Sequence, residues 1–593
     1  MNRKILWTVA AALAVLLAAC DNKPNTNTAG NKPPPPKPPT VGEGPPPPPP
    51  IVVASSMPAL QTDGATGSIR LNSAASYAWN ALIAMNWPAA SGTRGAPDTG
   101  SKFGAAGTPV WVTMRSKVEV YPGNASTTVA PHGVTLDPTT HVPTNGPDYG
   151  YSDPAKYEYA AGEIPACADQ ANVTTPALIV LDETTQINNN QTFAGAAPAI
   201  DLKNSKPQLI RYALKMNQPL YAKAVNGQYW YFANPASPLY TAMINYITAL
   251  NAGTNQDPAS PYVNFAPPGG SDPSTFGIEI KTSWRPLTTD EMSHGRFFTS
   301  TVRYYEQPPP SKATCYREGT WGLVGMHVIS FAANAPWVVW STFEQADNIL
   351  TNTGTATEDA DGNVTVPTTA APTTPTLSSD PSQPNPTVTA TGGYCTDPGK
   401  QLYFQENPTY GTMPSAGNIC VNARWHPIDP IFIAANKQAH AAITAYLQAN
   451  GGGSSPWLFY KLVAAQGVPI DYSGRNGGIF STTSAYYSAN ATIETDYSLG
   501  NFTGQLVKGV PSDVVVQSGA NVPYYNTRLL PFQTGRLGFG NIAAGGCAGC
   551  HDNASLFGKD FSFAIGNNVT KPEATNAFAT NNLMRNYFPL KLP

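Results

Sequence analysis

The feature that most constrains this 593-residue chain is the motif Cys547-Ala548-Gly549-Cys550-His551. Two thiols three positions apart can each bond one vinyl group of the same porphyrin, and the histidine after them can place an imidazole nitrogen on the iron. A thioredoxin-like redox pair would need a βαβ context, and a zinc site would need two further ligands at close spacing. Neither is evident around the motif. The sequence therefore predicts one covalent haem c, held by Cys547, Cys550 and His551.

The residues around the motif argue against a standalone class I cytochrome c domain. Such a domain begins with a helix before its attachment site and extends well beyond that site to a closing helix. Here residues 535–546 are rich in glycine, which disfavours a helix, and only residues 552–593 follow the motif. We therefore expect an α+β protein with a large body of short strands and several helices. This body would hold a C-terminal haem c attachment segment.

The second axial ligand of the iron has three alternatives. Met584 is the methionine that follows the motif, and its thioether would suit an electron-transfer haem of relatively high potential. His327, His426 or His440 from the body would instead give two histidine ligands and a lower potential. A vacant position would let peroxide or oxygen bind, and His327 with Glu344 would then be the catalytic pair that handles protons.

The N-terminal residues predict export and a lipid anchor. Residues 1–19 have a short basic start and an apolar run that is too short to span a bilayer, which indicates a secretory signal. The run ends in Leu17-Ala18-Ala19-Cys20, which resembles the bacterial lipobox, so we expect Cys20 to be lipidated. An ordinary signal peptide cut nearby is the alternative. Residues 20–55 are rich in proline and predict a polyproline tether. Asp21 favours the inner membrane, with the outer membrane as the alternative.

The remaining cysteines predict disulfide bonds. Of seven cysteines, one goes to lipid and two go to haem, which leaves Cys167, Cys315, Cys395 and Cys420 in an oxidising compartment. Three pairings of these four are possible. A short loop favours Cys395 with Cys420 and leaves Cys167 with Cys315. A buried free thiol is the alternative for any of them.

The charge of the chain excludes one class of partner. It has 34 basic and 37 acidic side chains, so there is no basic surplus for nucleic acid. Membrane contact is expected through the lipid anchor alone.

The body divides into residues 56–350 and 394–534. Between them lies a stretch rich in Thr and Pro, 351–393, that predicts a disordered insertion, and the haem-binding segment is 535–593. Local patterns predict helices over 77–85, 208–216 and 430–447. They predict strands over 109–114, 118–121, 321–330, 337–343 and 490–497, and a hairpin that joins 221–226 to 228–232.

Three phrases, Ala81–Pro88, Gly322–His327 and Trp340–Gln345, resemble those of a broad group of exported, single-haem bacterial cytochrome c family proteins. The resemblance covers most of the body and implies a haem, but no particular reaction. We expect a membrane-tethered periplasmic c-type cytochrome that transfers electrons to or from a partner protein. One alternative is a haem enzyme of peroxidase or oxygenase type with a small-molecule substrate. The other is a surface binding protein with a structural haem.

Overall fold

Helices and an antiparallel sheet are both present, so the fold class is α+β. The computed structural model describes residues 47–62, 69–126, 128–171, 173–185, 191–194, 208–242, 245, 265, 272–308, 313–332, 334–348, 356–365, 402–405, 428–467, 490–494, 547, 551, 562, 564 and 571–574. The described strands are β1 (Arg115–Ser116), β2 (Glu158–Tyr159), β3 (Gly162–Glu163), β4 (Ile179–Leu181), β5 (Gln191–Ala194), β6 (Gln208–Leu209), β7 (Arg211–Met216), β8 (Gly277–Arg285), β9 (Thr299–Glu306), β10 (Cys315–Ala332), β11 (Ala335–Gln345), β12 (Leu402–Gln405) and β13 (Tyr460–Gln466). The described helices are α1 (Leu71–Met85), α2 (Val110–Thr113), α3 (Lys117–Val120), α4 (Gln218–Asn226), α5 (Thr289–Ser293) and α6 (Pro430–Ala449).

The largest sheet is built around β10, a strand of 18 residues. Its order is β1-β7-β8-β10-β11-β13, all antiparallel, and β9 pairs with the first half of β10 while β4 runs parallel to β9. The second half of β10 lies between β8 and β11. Side chains alternate between the two faces of a strand. The register of β8, β10 and β11 therefore shows on which face of the sheet each of their side chains lies. The predicted strands over 321–330 and 337–343 are confirmed as parts of β10 and β11.

Helices α1 and α6 pack on one face of this sheet, which we call the helix-covered face. The buried amide of Asn436 in α6 joins the layers. Its oxygen accepts hydrogen bonds from Trp79 Nε1 in α1 and from Leu462 N in β13, both at 2.8 Å. Asp429 begins α6 by accepting a hydrogen bond from Ile431 N, as expected of an N-cap. Both predicted helices, over 77–85 and 430–447, are confirmed.

The other face of the sheet, which we call the opposite face, is aromatic at one end and polar at the other. Helix α4 and the short 3-10 turn Tyr229–Tyr231 lie over its aromatic end. The side chains buried together there form what we call the aromatic cluster; they include Tyr121, Leu214, Met216, Tyr221, Trp230, Tyr231, Ile329, Phe331, Val338 and Trp340. The polar end carries Lys281, Ser283, His327, Thr342 and Glu344.

The body begins earlier than the sequence predicts. Ile51 and Leu60 are buried in the core of the helix-covered face, and Val52 N donates a hydrogen bond to Asn80 Oδ1 in α1 at 2.8 Å. Residues 47–55 therefore belong to the body, and the prediction that the tether extends to residue 55 is wrong.

The start of the predicted disordered insertion is also ordered. Residues 356–365 form a turn that packs on α6 and β13. Asp361 Oδ1 lies 2.7 Å from His440 Nδ1, and Glu358 lies 2.7 Å from Lys461 in a buried ion pair. The prediction of disorder is wrong for these ten residues, because charge pairing holds a segment that has almost no apolar side chains. The rest of the stretch lies outside the described residues.

Three stretches predicted as strands or as a hairpin are helical. Helices α2 and α3 replace the predicted strands over 109–114 and 118–121. A capping box between Ser116 and Glu119 begins α3 and overrides the alternating apolar pattern. Asn217 caps α4 by accepting a hydrogen bond from Leu220 N, so the predicted hairpin is a helix followed by the 3-10 turn.

One stretch that the sequence predicts as a helix forms β-strands instead. Residues 208–216 form β6 and β7, and all six residues of β7 pair with β8. Tertiary pairing therefore outweighs the local helical preference of this stretch.

Candidate functional site

Two residues of the Cys-x-x-Cys-His motif lie against the aromatic cluster. Cys547 and His551 both have helical backbone geometry and are half-buried. Cys547 packs at the border of the cluster, and the His551 ring lies 4.4 Å from the ring of Trp340 in β11. Cys550 lies outside the described residues.

The strand register shows what surrounds this contact. Trp340 is paired with Ile329 in β10, Ile329 with Glu279 in β8, and Glu279 with Met216 in β7. Adjacent strands lie about 4.8 Å apart, so the backbone of Glu279 is about 10 Å from that of Trp340. The His551 ring therefore rests on a row of the sheet in which Met216, Ile329 and Trp340 are apolar, while Glu279 supplies a carboxyl group and Gln466, paired with Trp340 in β13, supplies an amide.

Residues after the motif also bind the opposite face. Ser562 Oγ donates a hydrogen bond to Glu279 Oε2 at 2.6 Å, and Ala564 is buried in the aromatic cluster. Further on, the Glu573 carboxylate accepts a hydrogen bond from the Thr184 hydroxyl at 2.7 Å, and Glu573 N donates to the Asp182 carbonyl. The described residues between 547 and 574 thus contact the sheet at β11, at β8 and just beyond β4.

Several acidic groups beneath this segment are buried. Burial raises the pKa of Glu279 to about 7, although its bond from Ser562 acts in the other direction. Burial likewise raises the pKa of Asp182 to about 7, against the attraction of Lys117. Lys117 forms an ion pair with Glu183, whose other oxygen lies 3.4 Å from Lys281 Nζ. Glu279 and Asp182 are therefore partly protonated near neutral pH.

His327 lies on the same face, one row further from the aromatic end. It is paired with Thr342 in β11 and with Lys281 in β8, and it is two residues from Ile329. The rise per residue places it about 7 Å along the strand from Ile329. His327 Nε2 lies 2.8 Å from Glu494 Oε1, an ion-pair distance whose angle does not satisfy a hydrogen bond.

The sequence pairs His327 with Glu344 as catalytic residues, whereas the structure gives each a separate contact with residues 490–494. Glu344 is fully buried and accepts a hydrogen bond from Ala491 N. His327 faces Glu494 instead. Glu344 therefore anchors a backbone segment, and the acidic neighbour of His327 is a residue that the sequence did not single out.

Residues 490–494 are held by several strands at once. Asn490 Nδ2 donates to Thr342 Oγ1 at 2.9 Å, and the Thr492 hydroxyl lies 2.7 Å from Ser283 Oγ. Asn490 Oδ1 also accepts from Thr492 N at 2.9 Å, which folds the segment into an Asx turn rather than the predicted strand. The Asn-x-Thr sequence was the one local signal for this turn.

Another sequence candidate lies away from the motif. His440 projects from α6 on the helix-covered face, where its Nδ1 lies 2.7 Å from Asp361 Oδ1 and its Nε2 lies 2.9 Å from the Tyr460 carbonyl. The sheet therefore separates His440 from His551. His426 and Met584 lie outside the described residues.

The predicted pairing of Cys167 with Cys315 is confirmed by a disulfide bond between them. It joins the loop before β4 to the first residue of β10. Cys395, Cys420 and Cys20 lie outside the described residues, so the other pairing and the lipid anchor stay predictions.

Comparison of the chain with protein-family models, with curated proteins and with solved structures finds no match. Within the described ranges, no helix has both the length and the apolar character needed to cross a membrane.

The geometry of the motif residues fits a covalently attached porphyrin. Cys547 and His551 contact the same aromatic cluster, so a thioether from Cys547 and an imidazole from His551 could serve one porphyrin there. Trp340, only 3% exposed, supplies an apolar wall beside the imidazole.

Proposed function

We propose that this protein is an exported c-type cytochrome that carries one haem and transfers electrons. Cys547 and Cys550 would bind the porphyrin covalently, and His551 would be an axial ligand of its iron. The observation that carries this proposal is the contact of His551 with Trp340, which seats the motif on the body.

The residues of the body have separate roles in this proposal. Trp340 fixes the plane of the His551 imidazole, and Trp340 with Ile329 keeps water from that side of the site. Ser562 holds the segment after the motif on Glu279. When bound, the haem supplies an iron that exchanges single electrons with a partner, and these contacts hold its histidine ligand rigid during that exchange.

The N-terminal residues support a position on the periplasmic side of a bacterial membrane. Lipid on Cys20 would anchor the chain, and the body starts by residue 47. Residues 21–46 in polyproline form would span roughly 3 Å each, so the body could lie tens of ångströms from the bilayer. That distance suits electron exchange with a soluble or membrane-bound partner protein.

A second candidate function is a haem enzyme of peroxidase or oxygenase type. It is favoured by the position of His327, on the face that receives His551 and beside Glu494. In this case His327 would move protons at an open iron, with Glu494 rather than Glu344 as its acidic neighbour.

Two measurements test these functions in order. The chain is exported in a bacterium that attaches haem c, then unfolded in urea, and its absorption spectrum and mass are recorded. We expect one haem to stay on the unfolded chain and to be lost in a Cys547→Ser, Cys550→Ser variant. An unfolded chain without haem would contradict the proposal. Carbon monoxide is then added to the reduced native protein: no spectral change supports electron transfer, and ready binding supports the enzyme.

A further inference from the structure

Among the residues that the structure describes, the aromatic cluster contains three buried hydrogen-bond donors for which no acceptor is present. They are Tyr121 Oη, Trp230 Nε1 and Tyr231 Oη. Their residues are 2%, 2% and 0% exposed, so solvent does not satisfy them either. Trp230 and Tyr231 are neighbours in the 3-10 turn, with ring centroids 4.1 Å apart.

Other tyrosines of the same cluster are fully bonded. The hydroxyl of Tyr149 donates to Asn226 Oδ1 at 2.6 Å, and that of Tyr151 donates to the Met216 carbonyl at 3.0 Å. Tyr221 donates to two backbone carbonyls. The unpaired donors are therefore confined to particular residues and do not reflect loose packing throughout the cluster.

Buried donors without acceptors are costly, so a native protein normally supplies a partner. An ordered water molecule would need two to four polar groups around it, and the surroundings here are mainly aromatic and aliphatic side chains. An indole N–H can only donate, and burial raises the pKa of the Tyr121 hydroxyl well above its usual range, which keeps it a donor. The missing partner must therefore bring acceptor atoms, and a carboxylate is the strongest acceptor of this kind.

The proposed haem carries such acceptors. Its two vinyl groups and its two propionate carboxylates project from opposite edges of the porphyrin. Cys547 packs at the border of the aromatic cluster. Attachment at that border would direct the carboxylate edge away from the cysteines, across the cluster.

We propose that Trp230, Tyr231 and Tyr121 bind the propionate carboxylates of the haem and so fix the orientation of the porphyrin on the sheet. This inference rests on the proposed function. One charge opposes it: Glu279 lies near Tyr121 and would repel a carboxylate when ionised. Its raised pKa leaves it largely neutral below about pH 7, which limits that repulsion.

The test removes the Tyr231 hydroxyl, or the Trp230 indole N–H together with part of its ring, with and without haem. Trp230→Phe and Tyr231→Phe are each made in the haem-loaded chain and in the haem-free Cys547→Ser, Cys550→Ser chain, and the melting temperatures are measured. In the haem-free chain we expect Tyr231→Phe to raise the melting temperature, because it removes an unsatisfied donor. Trp230→Phe also leaves a cavity of the same size in both chains, so we expect it to be less destabilising in the haem-free chain than in the loaded chain. In the loaded chain we expect both to lower it, because each removes a bond to a carboxylate.

Tyr157→Phe is the matched control. The Tyr157 hydroxyl is buried and donates to the Ala177 carbonyl at 2.7 Å, outside the aromatic cluster. Its loss should lower the melting temperature equally in both chains. Equal shifts of Trp230→Phe and Tyr231→Phe in both chains would overturn the inference while leaving the haem in place. A chain that never retains haem would overturn the proposed function itself.

A second measurement covers the case in which the haem-free chain does not fold. Resonance Raman spectra of the loaded protein report the propionate bending vibrations. We expect these bands to shift in Trp230→Phe or Tyr231→Phe and to stay in place in Tyr157→Phe. Unshifted bands in both donor variants would refute the assignment.

Discussion

Gly325 in β10 is the position where one added carbon should have the largest effect on residues 490–494. A Cβ at Gly325 would lie 2.5 Å from Thr492 Oγ1, 2.6 Å from Ser283 Oγ and 3.0 Å from Asn490 Oδ1. The first two oxygens also lie 2.7 Å from each other as hydrogen-bond partners, so neither can move without losing that bond. The absence of a side chain at Gly325 is therefore what lets the segment reach the sheet.

The magnitude follows from two competing responses to Gly325→Ala. Overpacking of a filled core costs about 1–3 kcal/mol. Release of the segment would instead give up its bonds to β7, β8, β11 and Glu344, at roughly 1 kcal/mol each. Four such bonds amount to about 4 kcal/mol, so overpacking is the less costly response, and we expect a loss of about 1–3 kcal/mol in the free energy of unfolding. We also expect more frequent opening of residues 490–494.

Gly319→Ala on the same strand is the control. The nearest atom to a Cβ at Gly319 is Trp321 Nε1 at 3.7 Å, an ordinary contact. Because alanine has less backbone entropy than glycine in the unfolded chain, this substitution should be neutral or should stabilise the protein by up to about 1 kcal/mol. Urea unfolding gives the stabilities, and amide hydrogen exchange at Ala491 and Thr492 reports the opening. If Gly325→Ala is as stable as Gly319→Ala and equally protected, the packing argument is wrong.

Three further predictions concern charge, covalent linkage and the motif contact. Burial raises the pKa of Glu279 from 4.5 to about 7, so its contribution to stability is present below pH 4.5 and is lost as the pH rises through 7. Urea unfolding should show this loss, about 3 kcal/mol at most, in the parent and not in Glu279→Gln. Replacing both Cys167 and Cys315 by alanine should lower the melting temperature, because their bond closes a loop with a sequence separation of 148, for which chain entropy gives about 5 kcal/mol at most. Trp340→Leu should keep the covalent haem but lower its midpoint potential in a redox titration, because water would reach the His551 side of the iron and favour the ferric state.

Each of these predictions has an internal control. The stability difference between Glu279→Gln and the parent should not change with pH below 4.5, and a pH-independent difference throughout would contradict the assignment. Reductant should lower the melting temperature of the parent by more than that of the chain without Cys167 and Cys315, in which only the predicted Cys395–Cys420 bond could still be reduced. Trp457→Leu, a buried tryptophan on the helix-covered face, should leave the potential unaltered. An equal shift in both tryptophan variants would mean that Trp340 has no special role.

The sequence predicted those parts of the fold whose signals are local. Helix α6 follows from Asp429, from Pro430 in the first turn and from the glycines after Asn450. Helix α3 had an equally local signal, Ser116 with Glu119, but the alternating valines around it favoured a strand. Strand β7 could not be predicted, because its extended form depends on pairing with β8, about 65 residues later in the sequence.

The candidate site likewise has features with a local sequence signal and contacts between distant residues that have none. The motif at 547–551 is a local pattern, so five residues were enough to predict a haem site, and that site stays a prediction. Its seat on Trp340 and the contact of Glu494 with His327 could not, because they join residues more than 150 positions apart and depend on the strand register.

The opposite face of the sheet is completed by residues that are far downstream in the sequence. The hydrogen-bond partner of Thr184 is Glu573, 389 residues later in the sequence, and that of Ser283 is Thr492. A chain that emerges N-terminus first would therefore form its sheet and its helix-covered face while the opposite face was still exposed to solvent. Under the proposed function, the Cys-x-x-Cys-His motif would be undocked during that interval and accessible to the machinery that attaches haem. Docking of the tail would then mark the end of maturation, and the order of synthesis would itself keep attachment ahead of closure.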